Sequence, residues 1–312
     1  MPLLDMEGSY ELTAQKIDKV ITRTSPGNYA LGYTSERMKN KKIKFIRYPG
    51  GKQRILKYIL PYLPPRELIE GHFVEPFVGG GAVFFALNPK DALLNDINKE
   101  LIDLYYGIYK YPIKVWNIFK NFPSTKEAYY QIRGAKVSKK DLAFKAARTL
   151  YLNRTCFKGM WRHNTSGEFN VGYGGQDRRW VINKESLLEV SSRLKRASLK
   201  CADFEVVIDS CFKEDFIFVD PPYKPGEREI FNAHYLYNKF SFDDYQRLAL
   251  SLKKASNRGV KWALTTSSHS DILDLFLGNQ IVHLIKGTGK RPGIMANNSG
   301  EVLVRNYKEV YQ

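Results

Sequence analysis

Between Phe73 and Phe85 the chain reads Phe-Val-Glu-Pro-Phe-Val-Gly-Gly-Gly-Ala-Val-Phe-Phe. An apolar strand runs into three glycines, and Ala82 to Leu87 then reads as a buried helix. Strand, glycine turn and helix is how a nucleotide-binding α/β unit opens, because glycine lets backbone approach a ligand closely. The pattern is not GxGxxG, so a dinucleotide is not the expected ligand. Leu93-Leu94-Asn95-Asp96 follows as a second strand ending in an acid. Two roles stand for Asp96, a contact to ribose hydroxyls, which is favoured, and the N-cap of a helix beginning near Asn98.

A second strand-end acid lies far along the chain. Phe216-Ile217-Phe218-Val219 is apolar, aromatic and β-branched, the composition of a buried strand, and Asp220-Pro221-Pro222-Tyr223 follows it. Neither proline can donate a ladder hydrogen bond, so the strand stops there. What remains at its carboxyl end is an acid, rigid carbonyls and an aromatic ring. Ligands of open α/β sheets bind outside the carboxyl ends of the strands. A carboxylate beside a carbonyl can accept both hydrogens of an amino group, and the ring can stack on a planar base. The bland reading is a proline-capped strand with Tyr223 as packing; it weakens once the upstream motifs are added.

Upstream, Arg47-Tyr48-Pro49-Gly50-Gly51-Lys52 reads as a turn leading into a helix with Ile55, Leu56, Ile59 and Leu60 on one face. Taken alone it is a plain turn; with a ligand nearby, Lys52 can pair with a carboxylate.

Charge narrows the partner. The 312 residues carry a net charge of +17, with 43% apolar and 13% aromatic content that supports a real core. Such a basic excess predicts a polyanion, most simply nucleic acid. Residues 134–200 hold 15 Lys and Arg against 5 Asp and Glu, more than half of the excess. Phe157, Met160, Trp161, Phe169, Tyr173 and Trp180 are interleaved there, which fits nucleic-acid contact better than a solvated basic face. Cys156, Cys201 and Cys211 are an odd set without CxxC spacing, and the five histidines are scattered, so reduced thiols in the cytoplasm and no metal site are expected. No run approaches the ~20 apolar residues of a membrane span.

Helices are expected over Leu101–Tyr109, Ile113–Phe119, Glu127–Ile132, Leu142–Leu152 and Asp243–Ser256, and strands over Leu199–Ala202 and Val260–Thr265. The strand–helix alternation breaks in the middle, which marks an inserted, mainly helical domain at 111–199 within a catalytic domain at 44–110 and 200–312. Residues 1–43 are an N-terminal extension of unassigned role, read as a solvated leader in preference to an arm touching phosphate. Ile281–Ile285 and Glu301–Tyr307 suggest a terminal antiparallel hairpin around the basic, glycine-rich loop Lys286 to Gly300. Lys224 to Asn238 reads as a loop able to close over the site.

These motifs together resemble the Dam-type, alpha-class DNA adenine methyltransferases. The resemblance rests on YPGGK at 48–52, FVEPFVGGGAVFF at 73–85, the acid of LLNDIN at 96, YLNRTCFKGMWRHNTSGEFNV at 151–171 and DPPY at 220–223, in the alpha-class order. It covers roughly residues 44–308. It implies an α/β fold, a Rossmann-like sheet of mostly parallel strands dependent on S-adenosylmethionine, with an inserted DNA-recognition domain. Tyr48 and Lys52 match positions at the cofactor's methionine end. Glu75, Pro76, Phe77, Gly79 and Gly81 match its binding loop, Asp96 the ribose contact, and Asp203 with Phe204 the adenine contacts. Asp220, Pro221, Pro222 and Tyr223 match the catalytic tetrad, with Asp220 also beside the cofactor. On the DNA side, Phe157 matches a wedge into the base stack and Arg162 a base-reading arginine, with Arg47, Met160 and Asn164 beside them. Lys158 stands where relatives have Asn, and Arg47 where one has Lys.

The implied reaction is methyl transfer to N6 of an adenine flipped out of double-stranded DNA. Arg154, Lys158, Arg178 and Arg179 are expected at phosphates, and Arg162 in a hairpin that enters the major groove. The implied partners are duplex DNA and a restriction endonuclease acting on the same site, with the enzyme a cytoplasmic monomer. The alternatives are an RNA adenine methyltransferase, a protein-amide methyltransferase, against which Asp rather than Asn at 220 argues, and a catalytically silent DNA-binding regulator.

Overall fold

The computed structural model describes residues 43–311 apart from 44, 138–140, 165, 176–180, 223–239, 285, 289–294 and 298–299. Tyr223, Arg178, Arg179, the leader 1–42 and the loop Lys224 to Asn238 therefore lie outside the described residues.

Strands β1 (Phe73–Glu75), β2 (Ala92–Asn95), β3 (Ala197–Lys200), β4 (Phe216–Val219), β5 (Lys261–Ser267) and β6 (Gln280–His283) all run one way. β7 (Lys286–Thr288) and β8 (Met295–Asn297) form a separate antiparallel ribbon, and β9 (Glu301–Arg305) is the reversed strand of the main sheet. That sheet has seven strands in the order β3-β2-β1-β4-β5-β9-β6. The expected terminal hairpin is the β6–β9 pair, and the loop between its strands holds the extra ribbon. β4 is central and buried on both faces, which accounts for its unbroken apolar sequence. Chain order reverses between β1 and β4, so the ligand crevice of such a sheet lies outside their carboxyl ends. Glu75 ends β1 and Asp220 follows β4.

The helices are α1 (Leu56–Ile59), α2 (Ala82–Leu87), α3 (Lys99–Lys110), α4 (Pro112–Asn121), α5 (Lys126–Gly134), α6 (Leu142–Thr155), α7 (Lys184–Leu194), α8 (Phe204–Asp209), α9 (Phe242–Asn257) and α10 (Ser270–Asp274). On one sheet face Val74, Ile217, Val219, Trp262, Leu264 and Val304 pack with Val207 and Ile208 of α8 and Leu248 and Leu252 of α9. Period-two alternation turns Phe73, Phe216 and Phe218 the other way.

α3 and α6 pack closely. A Cβ added at Gly107 of α3 would collide with Ala146 of α6. From Ala146 to Thr155 every residue of α6 is buried. A helix covered on all sides sits in the interior whatever its polarity, and this one carries Arg148, Asn153 and Arg154 inside.

Several expected elements change. The helix expected after Lys52 is one α-turn between two 3-10 turns, because Pro61 interrupts it; Ile55, Leu56, Ile59 and Leu60 are nonetheless all buried. The strand expected at 199–202 runs over Ala197–Lys200. α7, α8 and α10 are additions. α8 was masked by its β-branched run Val206-Val207-Ile208, yet Asp203 caps it by accepting from the Glu205 N–H at 2.9 Å.

Candidate active site

The glycine loop is tied to the end of β2. Gly79 and Gly81 adopt φ of +46° and +62°, a region costly for any side chain. The Gly79 N–H donates to Asp96 Oδ2 at 3.0 Å, and the Asn98 N–H donates to Asp96 Oδ1 at 3.0 Å. A Cβ added at Gly79 would lie 3.0 Å from the Tyr48 ring, and the Tyr105 hydroxyl donates to the Gly79 carbonyl at 2.9 Å. Tyr48, the loop and Asp96 are thus one assembly. Of the two roles open for Asp96, capping belongs to its neighbour: Asn98 accepts the Leu101 N–H at 3.2 Å and begins α3. Burial pushes the Asp96 carboxyl up to about 6, although both N–H donors pull it down.

A second cluster forms where three segments meet. Lys52 Nζ lies 2.8 Å from Asp220 Oδ1 and donates to the Gly50 carbonyl at 2.9 Å. Thr265 of β5 donates its hydroxyl to the same Oδ1 at 2.7 Å. Burial raises the Asp220 carboxyl above its ordinary range, and Lys52 and Thr265 pull it back only in part. The sequence pointed Lys52 at a ligand carboxylate; the fold sets it against the protein's own Asp220, with only 3% of its surface exposed. Glu301, the first residue of β9 and 1% exposed, places Oε1 3.9 Å from Lys52 Nζ. It was not expected at the site. Its one signal was an acid opening a strand whose next three residues, Val302, Leu303 and Val304, are apolar.

Glu75 completes this corner. Its Oε1 accepts the Phe84 N–H at 3.3 Å, while its buried Oε2 has no hydrogen-bond partner. Burial first, and then Asp220, push its carboxyl well above the usual range.

Aromatic rings form a neighbouring wall. Phe77 and Phe204 lie 5.3 Å apart between centroids, and Phe240 packs edge-on to Phe77 at 5.6 Å. The Arg247 guanidinium sits 4.9 Å over Phe204 and pairs with Asp203 at 2.9 Å. Asp203, Phe204 and Phe77 are therefore brought together. Phe240 and Arg247 join them from beyond the motifs.

On the basic side the expected residues divide. Arg154 is 5% exposed and donates Nε to the Phe45 carbonyl at 3.0 Å, with burial lowering its guanidinium to about 10. It ties α6 to the segment before Tyr48 rather than facing a phosphate. Asn153 does the same for Arg47, accepting from its N–H at 2.8 Å and donating to its carbonyl at 2.6 Å. Phe157 is 49% exposed, with Lys158 Nζ 5.1 Å from its ring centroid. Lys158 itself has φ +54°, unusual for a residue with a Cβ. The Met160 carbonyl accepts from Cys156 Sγ at 3.3 Å, so its backbone helps to close this turn.

The hairpin expected around Arg162 is present. His163 and Phe169 bridge antiparallel, and Asn170 N–H donates to the Arg162 carbonyl at 3.1 Å. Asn164 Oδ1 accepts from the Ser166 and Glu168 N–H groups, which gives that residue a turn-forming role. Gly167 takes φ +76° at the tip. Arg162 Nε donates to Asn170 Oδ1 at 2.8 Å.

Among the described residues no group of His, Cys, Asp and Glu is placed to hold a metal ion, and no helix is long and apolar enough to cross a membrane.

The sheet and its acid-ended strands define a Rossmann-like methyltransferase fold. Residues 48–289 match the family described as D12 class N6 adenine-specific DNA methyltransferase. The chain is 34% identical over 291 residues to the Type II methyltransferase M.MjaIII of Methanocaldococcus jannaschii, across 84% of this chain and 98% of that one. It is 32% identical over 274 residues to the Type II methyltransferase M1.LlaDCHI of Lactococcus lactis subsp. cremoris, across 84% and 95%. A DNA adenine methylase of Vibrio cholerae serotype O1 is 31% identical over 273 residues, across 84% and 95%. The chain belongs to the D12 class N6 adenine-specific DNA methyltransferases, enzymes that methylate adenine in DNA.

Proposed function

We propose that the methyl donor is S-adenosylmethionine and that the acceptor is N6 of an adenine flipped out of duplex DNA into the Asp220 corner. The observation that carries this reading is the orientation of Asp220: among the described residues Lys52 and Thr265 both engage Oδ1, which leaves Oδ2 to accept an N6 hydrogen.

The residues fit the donor. The glycine cradle takes left-handed backbone at Gly79 and Gly81, with Tyr48, Phe85 and Tyr105 already 3.0 Å from where a Cβ would stand, Asp96 keeps acceptor sites beyond its two backbone donors, and the buried Glu75 Oε2 lacks a partner. Tyr48, Glu75, Pro76 and the loop hold its methionine end, Asp96 the ribose, and Phe77, Asp203 and Phe204 the adenine. Bound there, S-adenosylmethionine supplies a methyl group already activated by the sulfonium.

The chain's part is placement and electrostatics. The N6 lone pair is delocalised into the purine and is a poor nucleophile. Asp220 accepts one N6 hydrogen and the Pro221 carbonyl the other, which favours sp3 character at nitrogen, while Pro222 fixes the turn and Tyr223 stacks on the base. Methylated N6 carries a positive charge and must release a proton. The raised affinity of the Asp220 carboxyl for protons suits it to receive that proton.

The helical stretch 111–199 serves as the recognition domain within the catalytic parts 44–110 and 200–312. Its exposed Phe157 enters the base stack, the Arg162 hairpin reads the major groove with Arg47 and Met160 nearby, and Lys158, Arg178 and Arg179 meet phosphates. Among the described residues one hairpin and one corner support action as a monomer on DNA, which we place in the cytoplasm. Relatives named Type II methyltransferases support a partner endonuclease that cuts the same site.

The test supplies methyl-labelled S-adenosylmethionine, mixed-sequence duplex DNA and, separately, RNA. Label in N6-methyladenine of the duplex is the expected result. Label only in RNA, or none in adenine, overturns the reading.

A further inference from the structure

His163 lies beside Arg162 in the hairpin, yet it is 2% exposed and faces another element. Its Nε2 stands 2.7 Å from Oε2 of Glu100 in the first turn of α3. Thr149 of α6 donates to the other oxygen of Glu100 at 2.8 Å, and Arg148 Nη1 stands 3.6 Å away. Arg148 in turn bonds the Ile132 and Arg133 carbonyls at the end of α5. Burial alone would raise the Glu100 carboxyl, but the bond and charge from His163, then Thr149 and Arg148, outweigh it and hold it ionised. Nε2 of His163 is then the donor.

α3 is the helix capped by Asn98, whose N–H is bonded to Asp96, which is bonded to Gly79. An unbroken run of short contacts therefore links the glycine loop to the base of the hairpin. An edge ion pair on a surface loop is worth little, but a buried bond at the root of a two-stranded tip fixes the height and rotation of everything beyond it. Among the described residues the tip is held by its own turn bonds, by Asn164 Nδ2 donating to Glu168 Oε2 at 3.0 Å and by the Arg162–Asn170 contact.

We propose that Glu100 and His163 are positioning residues for sequence recognition, a strut that sets the hairpin against the cofactor-side helix so that Arg162 meets the correct base. The inference rests on the reading that this hairpin contacts bases. His163 is buried and Glu100 is turned to it, so neither is assigned a contact with DNA or cofactor. The pair acts by narrowing the poses in which Arg162 can bond a base edge, so its loss admits near-miss sites.

The test uses the full chain with Glu100→Gln, His163→Gln, the double variant and Arg162→Ala. Each is profiled for methylation on a randomised duplex library, with thermal melting measured alongside. For both single variants the rate ratio between the preferred site and single-mismatch sites should fall roughly tenfold, the scale of a coupling between distinct sites. The double variant should lose no more than either single one, because the two residues form one unit. A merely structural role lowers melting and overall rate but leaves that ratio alone, and such a result in the Gln variants overturns the proposal, as do additive losses in the double variant. If Arg162→Ala leaves the preferred sequence intact, the hairpin does not read bases and the strut falls with that reading. If Arg162→Ala relaxes one position while the Gln variants keep the parent's ratio, only the strut falls.

Discussion

Lys52 Nζ and Asp220 Oδ1 are 2.8 Å apart, although one follows a glycine turn near the start of the described chain and the other ends β4. With Glu301 3.9 Å beyond, one buried lysine stands between two carboxylates. The lysine offsets in part the burial that raises the Asp220 carboxyl above its ordinary range.

Replacing the lysine tests that role. Lys52→Met removes the charge that lowers the Asp220 carboxyl, so its affinity for protons rises further. The acid limb of the pH–rate profile for methylation should move to higher pH, and the neutral-pH rate should fall on the order of 10²-fold. An unchanged acid limb would mean that Lys52 does not tune Asp220.

Asp96 gives a pH prediction of its own. Its carboxyl is raised to about 6, and in the proposed site ribose hydroxyls would donate to the ionised form. Cofactor affinity should therefore be full above that pH and decline as pH falls through it, with proton release on binding near pH 6. Calorimetry at several pH values checks this. Asp96→Asn should flatten the dependence and weaken binding by roughly 1.5–3 kcal/mol. A parent affinity that does not vary across this range contradicts the ribose assignment.

Lys158 holds a left-handed backbone beside the exposed Phe157. A Cβ there costs about 1–2 kcal/mol, offset in part by the extra unfolded-state freedom of glycine. Lys158→Gly should raise unfolding stability by ~0.5–1 kcal/mol by denaturant titration, while the salt dependence of DNA binding becomes shallower by about one phosphate contact. Loss of stability would show that the Lys158–Phe157 contact outweighs the strain.

Arg162→Ala should cost about 1–3 kcal/mol on the preferred sequence and relax one base position. Sequencing of products methylated on a randomised duplex measures this. A preferred sequence identical to the parent's, with only the overall rate reduced, would assign Arg162 to phosphate instead.

Much of this was legible because it is local. β4 announced itself through four apolar residues and a proline stop, and the glycine loop through strand, turn and helix in one stretch. The Arg162 hairpin showed in its Asn, Ser and Gly. What stayed hidden depends on distant segments meeting. Glu301 is an ordinary acid until β9 is threaded beside β5, and Phe240 and Arg247 reach Phe77 and Phe204 only once α9 lies against the sheet. Arg154 misled for the same reason. Basic residues in a basic region suggest phosphate, but every residue from Ala146 to Thr155 is buried, so this guanidinium spends its Nε on the Phe45 carbonyl.

Whether Asp220 accepts an N6 hydrogen at the end of β4 is decided by single-turnover methylation with purified Asp220→Ala, with folding and DNA binding measured in parallel. The variant should fold and bind DNA like the parent, with a methyl-transfer rate lower by at least ~10²–10³-fold, the loss expected for one such polar stabiliser. A variant that methylates adenine within about tenfold of the parent rate, well short of that loss, would contradict the acceptor role of Asp220.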